Sequence, residues 1–464
     1  MNKTLRFLAA ALAIVALAAV PQAARAVDTG SADFTRYVSM GDSLTAGFCS
    51  GSIIVNCQRT SYPTLIFHQA TGRPITDFQQ PLVSAPGLPG VLRLTGLFPT
   101  VITPTPGAGQ PINLNLPRPY NNMAIPGASL HDLLTKTMST SASDPTDLVL
   151  RRQGATQLQQ GLSLKPTFVS LWIGNNDALA AATSGIAVEG VTLTPTAQFD
   201  TEYRAVVNAI TTTAGVKQLV VANIPDVTSI PFVTTIPRFV VNPRTNQLVR
   251  DPGGNPIPLI GPDGPLQAGD FVLLTASTEL GAGRGIPVAL GGSGLPLSDN
   301  AVLSAAEAAT IKAHVDAYNT TIRNVANEKG AAFVDANAVL RNIATSGLRI
   351  GGIRYSSAFL TGGIFGYDGV HPTPFGYAYI ANLFIDAINA TYGGDIPEVD
   401  LYPFVFGPLP SATAAISSDK ASSGDFTQYV FTPEARRSLL LSLNVPKWIV
   451  DGTKPPRKPR HPRG

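Results

Sequence analysis

Short apolar runs alternate with helical stripes along most of this chain, and that alternation narrows the possible folds more than any other feature. Residues 37–40 form a first apolar run, ending at Gly41. Residues 122–125, ended by Pro126 and Gly127, form a second, and residues 167–173, stopped by Gly174, a third. Residues 218–222 and 332–335 supply the fourth and fifth. Helical signals fall between them. Residues 62–70 read as a helix stopped by Gly72, and Phe199, Tyr203, Val206, Val207 and Ile210 mark a stripe. Ser304 and Glu307 form a capping box ahead of Ile311, Val315, Tyr318, Ile322 and Val325, whose spacings of four and three are helical. A last helix starts near Pro374 and carries Ile380, Leu383, Phe384 and Ile388 on one face. Strands joined through helices pair in parallel and need cover on both faces. The expectation is an α/β, doubly wound domain over residues 34–392, with about five parallel strands.

Two gaps, 73–120 and 234–296, are too long for simple crossovers and are rich in Pro and Gly. Their apolar residues (Leu88, Val91 and Leu94; Val272, Leu273 and Leu274) predict packed excursions, which would wall a substrate cleft. Residues 393–453 read as a C-terminal extension, with a Leu-rich helix opening at Thr432 and Pro433. Residues 454–464 are basic and Pro-broken, and read as a disordered tail.

The first 26 residues read as a secretory signal peptide. Lys3 and Arg6 precede an apolar run, and Ala24 to Ala26 form a small-x-small cleavage site. The run is short for a membrane span, so a secreted or periplasmic protein with no transmembrane anchor is expected. The formal charge of +3 comes from the two ends of the chain, and the body between them is mildly acidic. Such a body does not suit a nucleic-acid partner. The only two cysteines, Cys49 and Cys57, lie close in sequence and predict a short-loop disulfide in an exported chain. Two cysteines with no nearby histidine pair make no metal site, and no cofactor is expected.

Chemistry concentrates where the strands end. Ser43 follows the first strand within Gly41-Asp42-Ser43-Leu44, at the edge where an open α/β sheet binds ligands. A serine hydroxyl needs a histidine within hydrogen-bond reach to become a nucleophile. The chain has five histidines. His461 is in the tail, and His314 and His68 sit in helices. His371 follows Asp368 by three residues in a turn, so the carboxylate can hold Nδ1 and leave Nε2 free. His131 beside Asp132 is the weaker candidate, because adjacent side chains rarely meet in that geometry. An oxyanion formed in acyl transfer needs donors. The Gly127 N–H, the Asn176 side-chain amide and the Ser43 N–H stand at the ends of the second, third and first strands.

These blocks resemble the GDSL/SGNH hydrolases. Gly41 to Leu44 is similar to that family's first motif, Gly127 in Asn-Met-Ala-Ile-Pro-Gly-Ala-Ser to the second, Gly174-Asn175-Asn176-Asp177 to the third, and Asp368 to Pro372 to the last. The resemblance spans roughly residues 35–390 and implies a flavodoxin-like sheet, a Ser43–His371–Asp368 triad, and an oxyanion hole from Ser43, Gly127 and Asn176. It implies hydrolysis of a small-molecule or lipid carboxylic ester. Carbohydrate O-deacetylation and acyl transfer would use the same triad. A secreted binding protein on an inactive scaffold is the alternative of another class. No Gly-x-Ser-x-Gly elbow occurs, which argues against an ordinary α/β-hydrolase. Oligomeric state is not legible in the sequence.

Overall fold

The computed structural model describes residues 26–97, 100–138, 146–213, 215–406 and 430–453. Residues 1–25 of the expected signal peptide and the whole tail 454–464 lie outside the described residues. Four parallel strands make the main sheet: β1 (Tyr37–Gly41), β2 (Phe168–Trp172), β3 (Gln218–Ala222) and β4 (Ala332–Val334), hydrogen-bonded in that order. Helices around them include α1 (Ser43–Ala46), α2 (Tyr62–Thr71), α3 (Leu130–Thr135), α4 (Gln157–Ser163), α5 (Asn176–Ser184), α6 (Thr196–Thr212), α7 (Ala305–Lys329), α8 (Ala336–Ser346) and α9 (Pro374–Tyr392).

The second expected strand, residues 122–125, is not a full strand. It meets the outer edge of β1 through one parallel bridge, Ser39 to Asn122. One further backbone bond carries it along β1, from Ile125 N–H to the Gly41 carbonyl. On the side away from β1 the Asn122 side-chain oxygen takes the Ala124 N–H at 3.1 Å, a local side-chain bond. Counting this segment in chain order, the sheet runs 2-1-3-4-5, the flavodoxin-like order.

Side chains alternate across the sheet. Val38, Met40, Val169 and Leu171 face one core with Val206 and Ile210 of α6 and Ile311 and Val315 of α7. Phe168, Trp172, Val220 and Val334 face the other with Tyr62 and Ile66 of α2 and Ala381 and Phe384 of α9. Burial on both faces is why β1 and β2 read as near-continuous apolar runs. The capping box at Ser304 and Glu307 starts α7, and Thr373 caps α9 with Pro374 at its first position.

Both long excursions are packed. The first forms a hairpin, Leu92–Leu97 with Thr100–Pro104, and Val430–Phe431 adds a third strand parallel to the latter. The helix Pro433–Ser442 follows and buries Leu439 and Leu440 in the larger core. The second excursion meets the same region, where the Thr278 hydroxyl donates to the Phe431 carbonyl at 3.0 Å. Residues 430–453 are therefore built into the body of the molecule and are not a detached extension. No helix among the described residues is long and apolar enough to cross a membrane.

Candidate active site

β1 ends at Gly41 because nothing larger fits there. A Cβ at that position would sit 2.2 Å from Thr45 Oγ1 and 2.3 Å from the Trp172 carbonyl. Asp42 then caps α1, its Oδ1 accepting the Leu44 N–H at 3.0 Å, and Ser43 becomes the first helical residue. Asp42 is fully buried, and its Oδ2 accepts from Asn175 Nδ2 at 2.8 Å. Burial pushes its carboxyl up to about 6, against the pull of the Asn175 bond.

At the other end of the fold a tight turn brings Asp368 and His371 to Ser43. His371 Nε2 lies 2.9 Å from Ser43 Oγ, and His371 Nδ1 lies 2.8 Å from Asp368 Oδ2. Asp368 Oδ1 also accepts the N–H groups of Val370 (3.0 Å) and His371 (2.9 Å). Burial acts to raise the Asp368 carboxyl, but the neighbouring His371 and the donors around it win and hold it below its ordinary value. An ionised carboxylate only accepts. His371 Nδ1 is then the donor, and Nε2, when it carries no proton, accepts from the Ser43 hydroxyl. The Phe48 ring packs against the imidazole, with centroids 4.7 Å apart.

Gly127 takes a positive φ of 81° and turns the chain after the second motif. Asn176 opens α5, and its Nδ2 donates to the Ala128 carbonyl at 2.9 Å, which ties the third motif to the second. Its second amide N–H has no protein partner among the described residues. Asp177 is buried beneath them. It accepts the Leu130 N–H at 2.9 Å and the Thr194 hydroxyl at 2.6 Å. Burial pushes its carboxyl up to about 7, with Asp132 and Glu202 adding to the rise.

Residues 37–384 match the family profile described as GDSL-like lipase/acylhydrolase. The chain belongs to that family. Membership makes it a carboxylic ester hydrolase. No curated protein matches the chain by sequence. Among solved structures, the chain is similar to a catalytic mutant of an acetylxylan esterase from Geobacillus stearothermophilus, with 13% identity, 76% of this chain and 93% of that one covered, and a TM-score of 0.34. It is similar to an extracellular lipase from Streptomyces rimosus at 17% identity, with 76% and 98% covered and a TM-score of 0.32. For phospholipase A1 from Streptomyces albidoflavus the figures are 15%, 76%, 98% and 0.30.

This GDSL-like acylhydrolase site carries the bridge expected from its two cysteines, and beside it parts that have no sequence signature. Cys49 and Cys57 are joined by a disulfide, with Cα atoms 6.2 Å apart. Between Cys49 and Ser52 the chain makes a two-residue turn, with Ser50 and Gly51 at positive φ of 46° and 74°. That turn aims the Gly51 N–H at Asp368 Oδ2, 2.7 Å away, and Ser50 Oγ accepts the Tyr367 N–H at 3.1 Å. The rival pair is not assembled: His131 Nδ1 meets Glu202 at 2.7 Å, while Asp132 closes the capping box of α3.

An apolar cavity of ≈ 100 Å³ reaches Ser43 and His371. No residue of 73–120 or 234–296 lines it; α8, α9 and the ends of the strands do. The first excursion instead braces the disulfide turn from behind, where the Leu92 N–H donates to the Ser50 carbonyl at 2.9 Å.

Proposed function

We propose that this acylhydrolase cleaves carboxylic esters through an acyl-enzyme on Ser43. His371 Nε2 takes the Ser43 proton as Oγ attacks the ester carbonyl. Asp368 fixes the imidazole and stabilises its protonated form. The Ser43 N–H, the Gly127 N–H and the Asn176 amide hold the oxyanion. Collapse of the tetrahedral adduct breaks the bond to the alcohol oxygen, which leaves with the proton from His371. Water then gives a proton to His371 and adds to the acyl carbon; the second collapse frees the acid and returns the proton to Ser43. The hydrogen-bonded chain of Ser43 Oγ, His371 and Asp368, at 2.9 and 2.8 Å, is the observation that carries this reading. Export is part of the proposal, and the Cys49–Cys57 bridge supports an oxidising compartment. Hydrolysis of p-nitrophenyl acetate by the wild type and by Ser43→Ala tests the chemistry. The expected loss in kcat is on the order of 10⁶-fold, the scale set by removal of a triad serine. A variant that keeps its turnover sinks the assignment of Ser43.

A further inference from the structure

The three donors proposed for the oxyanion stand on three separate segments: Ser43 after β1, Gly127 after residues 122–125, and Asn176 after β2. Donors of this kind stabilise a developing charge only if they are fixed in place before it appears. The sheet alone does not fix them. The β1–β2 ladder ends at the pair Gly41 and Trp172, and each of the three lies beyond the end of its strand.

Hydrogen bonds past the ladder close a ring. The Gly41 carbonyl accepts the Ile125 N–H at 3.1 Å. The chain runs on through Gly127 to Ala128, whose carbonyl accepts from Asn176 Nδ2 at 2.9 Å. One residue back, Asn175 Nδ2 donates to Asp42 Oδ2 at 2.8 Å, and Asp42 adjoins both Gly41 and Ser43. Among the described residues, this is the only hydrogen bond between residues 42–46 and 173–179.

Asn175 forgoes two ordinary arrangements to make it. It stands at the N-cap of α5, where an asparagine commonly accepts a backbone N–H of the first turn, yet its side chain makes no cap bond. Its Oδ1 is buried and has no partner among the described residues, which costs stability. A residue serving only the helix start would make the cap bond, and one serving only the core would bury no unpaired oxygen. Asp42 needs the donor. Its carboxyl is fully buried, and the Leu44 N–H reaches only Oδ1. The titratable groups that act on it are His371, Tyr62 of α2 and Tyr377 of α9. Their polar atoms bond Ser43 and Asp368, Thr45, and the Phe48 carbonyl instead.

We propose that Asn175 is a positioning residue for the oxyanion hole, its bond to Asp42 fixing the Ser43 turn against the Asn176 end of α5, a role that rests on the acyl-enzyme proposed at Ser43. Asn175→Leu keeps the shape and removes the donor. On p-nitrophenyl acetate it is expected to lower kcat by about 10- to 100-fold, less than the loss of an oxyanion donor outright, with a smaller change in KM. In an Asn176→Ala background the same substitution is expected to cost at least about fivefold less, because the amide it positions is gone. Urea unfolding reads whether each variant folds. Should Asn175→Leu not fold, Asn175→Ala replaces it in both backgrounds, since the space it opens lets a water donate to Asp42 without restoring the tether. Equal losses of kcat with and without the Asn176 amide overturn the proposal. So does an unchanged kcat in the folded variant, or a loss confined to KM. Absence of any Ser43-dependent acetate turnover in the wild type overturns the esterase reading itself and is distinct from these outcomes.

Discussion

Asp368 holds four hydrogen bonds with two oxygens, and all four are donated to it. Oδ1 gathers its own turn, while Oδ2 joins His371 to Gly51 across the fold. An amide in its place has one accepting oxygen and a nitrogen that donates. Asp368→Asn therefore sets an N–H against either His371 Nδ1 and the Gly51 N–H or the two turn N–H groups. In the proposed mechanism the imidazole loses the partner that fixes its tautomer, and kcat is expected to fall about 10⁴-fold. The loss should exceed any change in KM, which steady-state kinetics on p-nitrophenyl acetate reads directly. At this scale the sequence exposes side chains and hides backbone. Ser43, Asp368 and His371 are visible because residue type and spacing mark them. The Gly51 N–H is not, since every residue but proline has one and only the folded turn aims it. Asn175 was passed over for a related reason: in Asn175-Asn176 both amides look alike, and only the helix start of α5 separates the one bound to Asp42 from the one beside Gly127.

The turn between Cys49 and Ser52 follows Ser43 in the chain and meets the Asp368 turn across the fold. Phe48 before it packs on His371, its carbonyl accepts the Tyr377 hydroxyl at 2.6 Å, and Gly51 within it bonds Asp368. The disulfide closes this element over a sequence separation of 8. A loop of that size stabilises the fold by roughly 2–3 kcal/mol when bridged. Cys49→Ser is expected to lose about that much in urea unfolding, and to lower kcat more than it raises KM, because the turn positions His371 and Asp368 and touches no substrate. Unchanged kcat in the folded variant would show that Leu92 and the rest of the first excursion hold the turn without the bridge. Elements were legible in proportion to how local their causes are. The capping box at Ser304 and the N-cap at Thr432 start helices where the sequence places them. The segment 122–125 has a strand's composition, yet its pairing depends on an edge position that only the assembled sheet defines. The α9 wall of the apolar cavity was legible as a helical stripe and α8 was not read at all, and even the α9 stripe did not announce a cavity, because a stripe does not reveal whether its neighbour fills the space beside it.

Across the whole molecule, the site is braced by two buried carboxyls that favour protonation and lined by one that favours ionisation. Asp42 is pushed up to about 6 and Asp177 up to about 7, both by burial first, while Asp368 is held low. The sign of the resulting pH dependence follows from linkage. An aspartate in the unfolded chain titrates near 3.8. Between that value and about 7 the folded state binds the Asp177 proton more tightly than the unfolded state does. Its contribution to stability is therefore largest near pH 4 and declines as pH rises towards 7. Asp368 works the other way, contributing stability above the unfolded value that is lost only in stronger acid. Asp177→Asn isolates the first effect. The amide keeps both bonds, with its oxygen accepting the Leu130 N–H and its nitrogen donating to a Thr194 hydroxyl that is free to rotate, and it has no proton to lose. Urea unfolding of both proteins from pH 4.5 to 7.5 is expected to show the wild type losing stability relative to the variant across that window, with Asp42 and every other titrating group cancelling in the difference. A difference that stays level with pH would mean that Asp177 is ionised throughout, and that its two donors outweigh its burial.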